Sequence, residues 1–77
     1  MRLEVLDNSM YEKCLRHDGH TRRFAIAENG GAWEVRTEAD SQLVRKVRYD
    51  DWHRVERALQ TIRLEIMSLQ DAGWVVV

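Results

Sequence analysis

Two stretches near the middle of the chain alternate apolar and polar residues with the period of a β-strand. They are residues 23–28 and 32–37, and alternation over this length is typical of a strand with one buried face. Between them lies Gly30-Gly31, and glycine readily takes the positive φ angles of a two-residue hairpin turn. The pattern therefore predicts an antiparallel hairpin in which Ile26 lies opposite Val35.

A third strand is predicted for residues 43–49, after a turn around residues 40–42. Pairing Val35 with Val47 makes both hairpins agree on one apolar face, and a slip of one residue would turn every side chain over. The predicted buried face consists of Phe24, Ile26, Trp33, Val35, Val47 and Tyr49. The predicted outer face consists of Arg23, Ala25, Ala27, Glu34, Arg36, Glu38, Val44, Lys46 and Arg48.

The last third of the chain has a helical period. Its apolar residues recur at steps of three and four, which places them on one stripe of a helix: Trp52, Val55, Leu59, Ile62, Ile66 and Leu69. Asp50 or Asp51 can cap the start of this helix, and Gly73 is a typical residue just past its end. The sequence thus predicts one long helix over residues 51–72.

The N-terminal third allows two interpretations. Ser9 and Glu12 fit a capping box for a short helix, whereas Asp18-Gly19 fits a hairpin turn that would add a strand over residues 13–17. The added strand is the preferred interpretation. Residues 3–5 also resemble a short strand, and residues 74–77 have strand propensity that could pair with either end of the sheet.

The fold class predicted from these elements is α+β: an antiparallel meander of three or four strands packed against one long C-terminal helix. At 77 residues we expect one domain, residues 1–77, with one small core. Cores of this size often need a disulfide, a metal or a partner subunit. Cys14 is the single cysteine, so a disulfide within the chain is excluded.

Charge and hydropathy favour a protein of the cytoplasm. Twelve basic and thirteen acidic residues give a formal net charge of −1, which provides no bulk attraction to nucleic acid or acidic lipid. The apolar runs are shorter than the ~20 residues of a membrane helix, and Glu4 falls where a signal peptide would be apolar. A single cysteine also suits a reducing compartment. We therefore expect a cytoplasmic protein without a membrane partner.

Three residues could hold a soft metal ion, since Cys14, His17 and His20 are separated by two residues each. A structural zinc site normally has two separated ligand pairs, and here there is one short cluster. A thiol nucleophile would also need an orienting group and an oxyanion hole. We accordingly predict no metal, no cofactor and no enzymatic activity.

The outer sheet face offers a candidate nucleic-acid surface through Arg23, Arg36, Lys46 and Arg48. A three-stranded sheet backed by one helix resembles, in the order of its elements, the layout of one family of DNA-binding domains. Acidic residues are interspersed among these cations, and phosphate neutralisation dominates nucleic-acid affinity. Nucleic-acid binding is therefore kept as the alternative function and is not preferred.

The preferred candidate surface is on the helix. At 100° per residue, Leu64 points almost opposite to the buried stripe and Met67 lies to its side. Together with Arg57 and Gln60, they form a predicted protein-binding face. The layout is loosely similar to that of several small inhibitors made by phages and mobile elements, which implies a bacterial or phage regulator. We thus predict a non-enzymatic regulatory or adaptor protein that forms a homodimer and contacts a further, unidentified protein.

Overall fold

The computed structural model describes residues 9–77, and within this range the chain forms five antiparallel strands and one helix. The strands are β1 (Ser9–His17), β2 (His20–Asn29), β3 (Ala32–Ala39), β4 (Gln42–Tyr49) and β5 (Val75–Val76), and the helix α1 (Trp52–Asp71) lies between β4 and β5. Their order across the sheet is β4-β3-β2-β1-β5. The predicted α+β meander is confirmed, with a fourth full strand and a short fifth. The predicted strand at residues 3–5 lies outside the described residues.

Both predicted hairpin registers are present. Ile26 pairs with Val35 across β2 and β3, and Val35 pairs with Val47 across β3 and β4. The first turn works because Gly30 and Gly31 have φ angles of 62° and 81°, values that side chains other than glycine rarely adopt. The alternation of apolar residues and the glycine turn therefore specify the same register.

Residues 9–17 form a strand, so the short-helix interpretation of the N-terminal third is wrong. Asp18 and Gly19 take φ angles of 50° and 80°, and they close a tight hairpin between β1 and β2. The strand brings Leu15 into the core, where it is fully buried. Burial of a leucine side chain contributes roughly 1.5–3 kcal/mol, which favours the strand over an isolated short helix.

An irregularity near the start of β4 changes one predicted side-chain position. The register shifts between Thr37 and Glu38, so that Glu38 pairs with Leu43 and Thr37 with Arg45. An extra residue in one strand of a pair is a β-bulge. The predicted place of Val44 on the outer sheet face is therefore wrong, and Val44 instead lines a groove on the helix side.

The third turn is fixed by a carboxylate. Asp40 and Ser41 have positive φ angles of 52° and 67°, which are costly outside glycine. In compensation, the Thr21 amide donates to Asp40 Oδ1 at 2.9 Å and His20 Nδ1 lies 3.1 Å from Oδ2. The hydrogen bonds from Thr21 and then from His20 lower the pKa of Asp40 below its ordinary value. The β3–β4 turn is thereby tied to the start of β2.

Helix α1 packs on the apolar face of the sheet. Its first residue follows the cap Asp51, whose side chain accepts a hydrogen bond of 3.0 Å from the His53 amide. The core lies between the two layers and consists of Leu15, Phe24, Ile26, Val35, Val55, Ile62 and Ile66. Trp33 and Tyr49 pack against this core. Within residues 9–77 no helix combines the length and apolar character needed to span a membrane.

The C-terminal end of the helix redirects the chain toward β1. Gly73 has a φ of 105°, and the Trp74 amide donates to the Leu69 carbonyl at 2.9 Å. A Cβ atom at Gly73 would come within 3.0 Å of the His17 ring. The reversal allows β5 to pair with β1 at Leu15 and Arg16, so the strand-forming C-terminal segment extends the sheet on its β1 side.

Candidate functional site

Two apolar side chains remain exposed on the face of α1 that points away from the sheet. Leu64 is 66% exposed and Met67 is 60% exposed, whereas Val55 on the opposite face is fully buried. Leu64 comes nine residues after Val55, a rotation of about 180° around the helix axis. No element within residues 9–77 covers this face.

Polar residues surround the exposed pair on the helix surface. Arg57, Gln60 and Asp71 are all exposed, and helical geometry places them within about 40° of the direction of Leu64. Among the described residues neither Arg57 nor Asp71 forms an ion pair. We call the set of Arg57, Gln60, Leu64, Met67 and Asp71 the outer helix face. An apolar centre with a polar rim is the usual composition of a protein interface.

A shallow groove adjoins the outer helix face where α1 passes over β1 and β5. Its volume is about 430 Å³, and it is lined by Tyr11, Lys13, Arg63, Ile66, Met67, Gln70 and Val76. Met67 belongs to both surfaces, so the apolar area continues from the helix into the groove. Sequence reasoning missed this groove because it depends on the position of β5, which the sequence left open.

The predicted basic residues of the outer sheet face have different environments. Arg23 lies between two carboxylates: its Nε donates to Glu12, and its Nη1 donates to Glu38 at 3.0 Å. Burial of Arg23 opposes its charge, but the hydrogen bond and charge of Glu12, with the charge of Glu38, outweigh this effect and raise its pKa. Arg23 is therefore already neutralised by its neighbours.

The other three predicted cations lie together on β3 and β4. In the backbone register of these two strands, Arg36 lies opposite Lys46 and Arg48 lies opposite Glu34. Within residues 9–77 none of the three basic side chains has a carboxylate within 4 Å. The Nε of Arg36 is buried and has no hydrogen-bond partner among the described residues. The excess positive charge of the sheet is therefore concentrated at its β4 side.

The candidate metal residues do not converge. Cys14 and His17 are three positions apart on β1, so alternation points their side chains to opposite faces of the sheet. The His17 ring packs against Trp74 with 5.6 Å between centroids, and His20 Nδ1 is hydrogen-bonded to the Asp40 carboxylate. Across residues 9–77 no three histidine, cysteine, aspartate or glutamate side chains come together in a way that could hold a metal ion.

Comparison with known proteins identifies no relative of this chain. No family model, no curated protein and no solved structure matches it. Two surfaces are distinctive: the outer helix face and the basic strand β4.

Proposed function

We propose that this chain is a small, non-enzymatic regulatory or adaptor protein of the cytoplasm that acts by protein contact and forms a homodimer through its outer helix face. The observation that carries the proposal is the exposure of Leu64 and Met67 on a helix whose opposite face already packs on the sheet. Scattered exposed leucines are common on monomers. Here the two residues are one turn apart and continue into a groove that is partly apolar.

The spacing of charges along α1 suits an antiparallel pair of helices from two copies. A twofold axis at Leu64 places Leu64 against its own copy, because a residue on the axis of an isologous interface contacts its own equivalent and every other contact occurs twice. Met67 and Gln60 point to the same side of the helix, so Met67 lies beside Gln60 of the second copy. Arg57 and Asp71 are each seven residues from Leu64, so each lies opposite the other residue across the interface.

The two ion pairs formed in this register would offset an unfavourable feature of the single helix. Asp71 is the last residue of α1, and the last turn contains no basic residue. A carboxylate at the negative end of a helix dipole is destabilising by a few tenths of a kcal/mol or more. Arg57 of the second copy would supply the missing positive charge, once on each side of the twofold axis.

The dimer is expected to be weak. Each Leu64 or Met67 transferred from water to the interface contributes roughly 1–2 kcal/mol, and a symmetric dimer buries two copies of both. Association costs at least about 4 kcal/mol of translational and rotational freedom. At the upper end of the side-chain range, and with up to about 1 kcal/mol from each of the two ion pairs, the net free energy is about 4–6 kcal/mol. This corresponds to a dissociation constant on the order of 100 μM to 1 mM, so that monomer and dimer coexist and a partner could shift the equilibrium between them.

The test is sedimentation equilibrium across a dilution series up to about 1 mM, the upper end of this affinity range. The wild-type protein should change from monomer to dimer over the series, and the double variant Leu64→Asp with Met67→Asp should stay monomeric. Both substituted residues are exposed, so circular dichroism of the variant should match the wild type. A control with Arg36→Ala and Arg48→Ala removes two charges of the outer sheet face and should dimerise normally.

Two results would contradict the proposed homodimer. A wild-type chain that stays monomeric at the highest concentration would remove it. A Leu64→Asp and Met67→Asp variant that dimerises as well as the wild type would move the contact to another surface.

Nucleic-acid binding by the outer sheet face is the alternative function. Arg36, Lys46 and Arg48 support it because they have no carboxylate partners, while the neutralisation of Arg23 by two glutamates argues against it. With so few available cations, non-specific affinity for phosphate is expected to be low and to fall steeply with salt. Loss of oligonucleotide binding in the Arg36→Ala and Arg48→Ala control, with dimerisation intact, would favour this alternative.

A further inference from the structure

Strand β4 forms an open edge of the sheet. It pairs with β3 on one side, and no described strand lies on its other side. In an antiparallel edge strand every second residue directs its amide and carbonyl groups away from its one neighbour. From Arg45 to Tyr49 the pairing with β3 is regular and contains no proline. Such an edge can accept a further strand through main-chain hydrogen bonds.

A groove runs beside this edge, between β4 and the helix. Its volume is about 130 Å³, and its lining includes the apolar residues Val47, Tyr49, Ala58 and Ile62 and the oppositely charged Arg45 and Glu65. This volume is far below the roughly 300 Å³ or more of a typical small-molecule site. It is suited to single aliphatic side chains that project from a strand laid along β4.

The charges of β4 select the kind of strand that can bind. Its eight residues include Arg45, Lys46 and Arg48 and no acidic residue, and all three cations are exposed. A second copy of β4 would bring like charges together, which is one of the ways in which natural proteins protect sheet edges from self-association. An acidic strand would instead find complementary charges.

We propose that the open edge of β4 binds an acidic peptide in extended conformation, which adds to the sheet as a further strand. Alternate peptide carboxylates lie on the outer side, next to Lys46 and Arg48. The intervening residues are aliphatic and point into the groove beside α1, next to Val47 and Ile62. The recognised pattern is therefore an alternation of acidic and aliphatic residues over about five positions, the length of the regular part of β4.

This surface is separate from the outer helix face, so the peptide site and the homodimer can be tested independently. The opposite edge of the sheet differs, since β5 has two residues, both valine. The exposed residues Arg16 and Arg63 lie on that side of the molecule, and they provide a matched control for charge changes made on β4.

The experiment measures fluorescence anisotropy of a labelled hexapeptide that alternates glutamate and valine. The wild-type protein should bind it, and Lys46→Glu with Arg48→Glu should weaken binding by about tenfold or more, as expected for two lost charge pairs. The double variant should in turn bind a hexapeptide of alternating lysine and valine. The control Arg16→Glu with Arg63→Glu changes the net charge equally and should bind the acidic peptide within about threefold of wild type.

Three further measurements distinguish strand addition from binding by charge alone, from binding at another surface and from nucleic-acid binding. A peptide with three glutamates followed by three valines should bind about tenfold more weakly, because it breaks the alternation of faces. Equal binding of both peptides would overturn strand addition.

Amide chemical-shift changes should be centred on β4, and changes centred on α1 would contradict the site. If a single-stranded oligonucleotide binds more tightly than the peptide through Lys46 and Arg48, the proposed peptide ligand is wrong.

The Leu64→Asp and Met67→Asp variant distinguishes this proposal from the proposed homodimer. It should bind the peptide within about twofold of wild type, because its substitutions lie on the outer helix face. If dimerisation fails while peptide binding persists, only the homodimer is contradicted. If the peptide does not bind to a protein that dimerises, only the β4 site is contradicted.

Discussion

The two faces of α1 both carry apolar side chains, but the fold accounts for only one of them. Val55, Ile62 and Ile66 are at most 8% exposed and pack on the sheet, whereas Leu64 and Met67 are at least 60% exposed. The inner face explains why the segment is helical and where it lies. The outer face adds nothing to the core of a single copy. Because the core does not require apolar residues there, we expect them to serve the function of this surface.

The largest expected difference between the two faces of α1 is in the free energy of unfolding that is lost when a residue is replaced by alanine. Replacing Ile62 with alanine removes a buried branched side chain and should lower the free energy of unfolding by about 2–4 kcal/mol. Replacing Leu64 with alanine at a concentration where the protein is monomeric should change it by less than about 0.5 kcal/mol. Urea denaturation of both variants at a few micromolar protein gives the comparison. Equal losses would show that Leu64 is part of the core.

The elements on the inner side of the helix could be predicted from the sequence because several local signals agree. The alternation around Ile26 and Val35, the Gly30-Gly31 turn and the helical stripe ending near Leu69 all require the same buried face. The sequence predicts the helix over residues 51–72, and the helix occupies Trp52–Asp71. Because the turn residues and the apolar periodicity agree, only one strand register and one buried helix face fit this part of the chain.

Three features of the structure could not be predicted from the sequence pattern. The partnership of Glu12 with Arg23 requires β1 to be a strand, and the sequence of residues 9–20 supported two interpretations. The bulge that redirects Val44 has no glycine or other local signal in β4. The groove near Met67 forms only after β5 is placed beside β1. Only the groove depends on a partner far along the chain, whereas the other two features lie within hairpins whose local sequence does not mark them.

A smaller effect is expected at the start of the helix, which supports both faces equally. Replacing Asp51 with alanine removes the cap hydrogen bond to the His53 amide and should cost about 1 kcal/mol. The loss should appear as a lower urea midpoint, with no change of the dissociation constant measured without denaturant. If Asp51→Ala weakened the dimer as strongly as a change at Leu64, the two faces of α1 would not be independent.

The most direct measurement of the proposed helix pairing uses charge exchange on the outer helix face. Arg57→Asp and Asp71→Arg, each alone, place like charges opposite one another and should raise the dissociation constant about tenfold by sedimentation equilibrium. The chain carrying both substitutions should dimerise like the wild type, and an equimolar mixture of the two single variants should form heterodimers. If neither the double variant nor the mixture recovers the dimer, α1 does not pair antiparallel about Leu64.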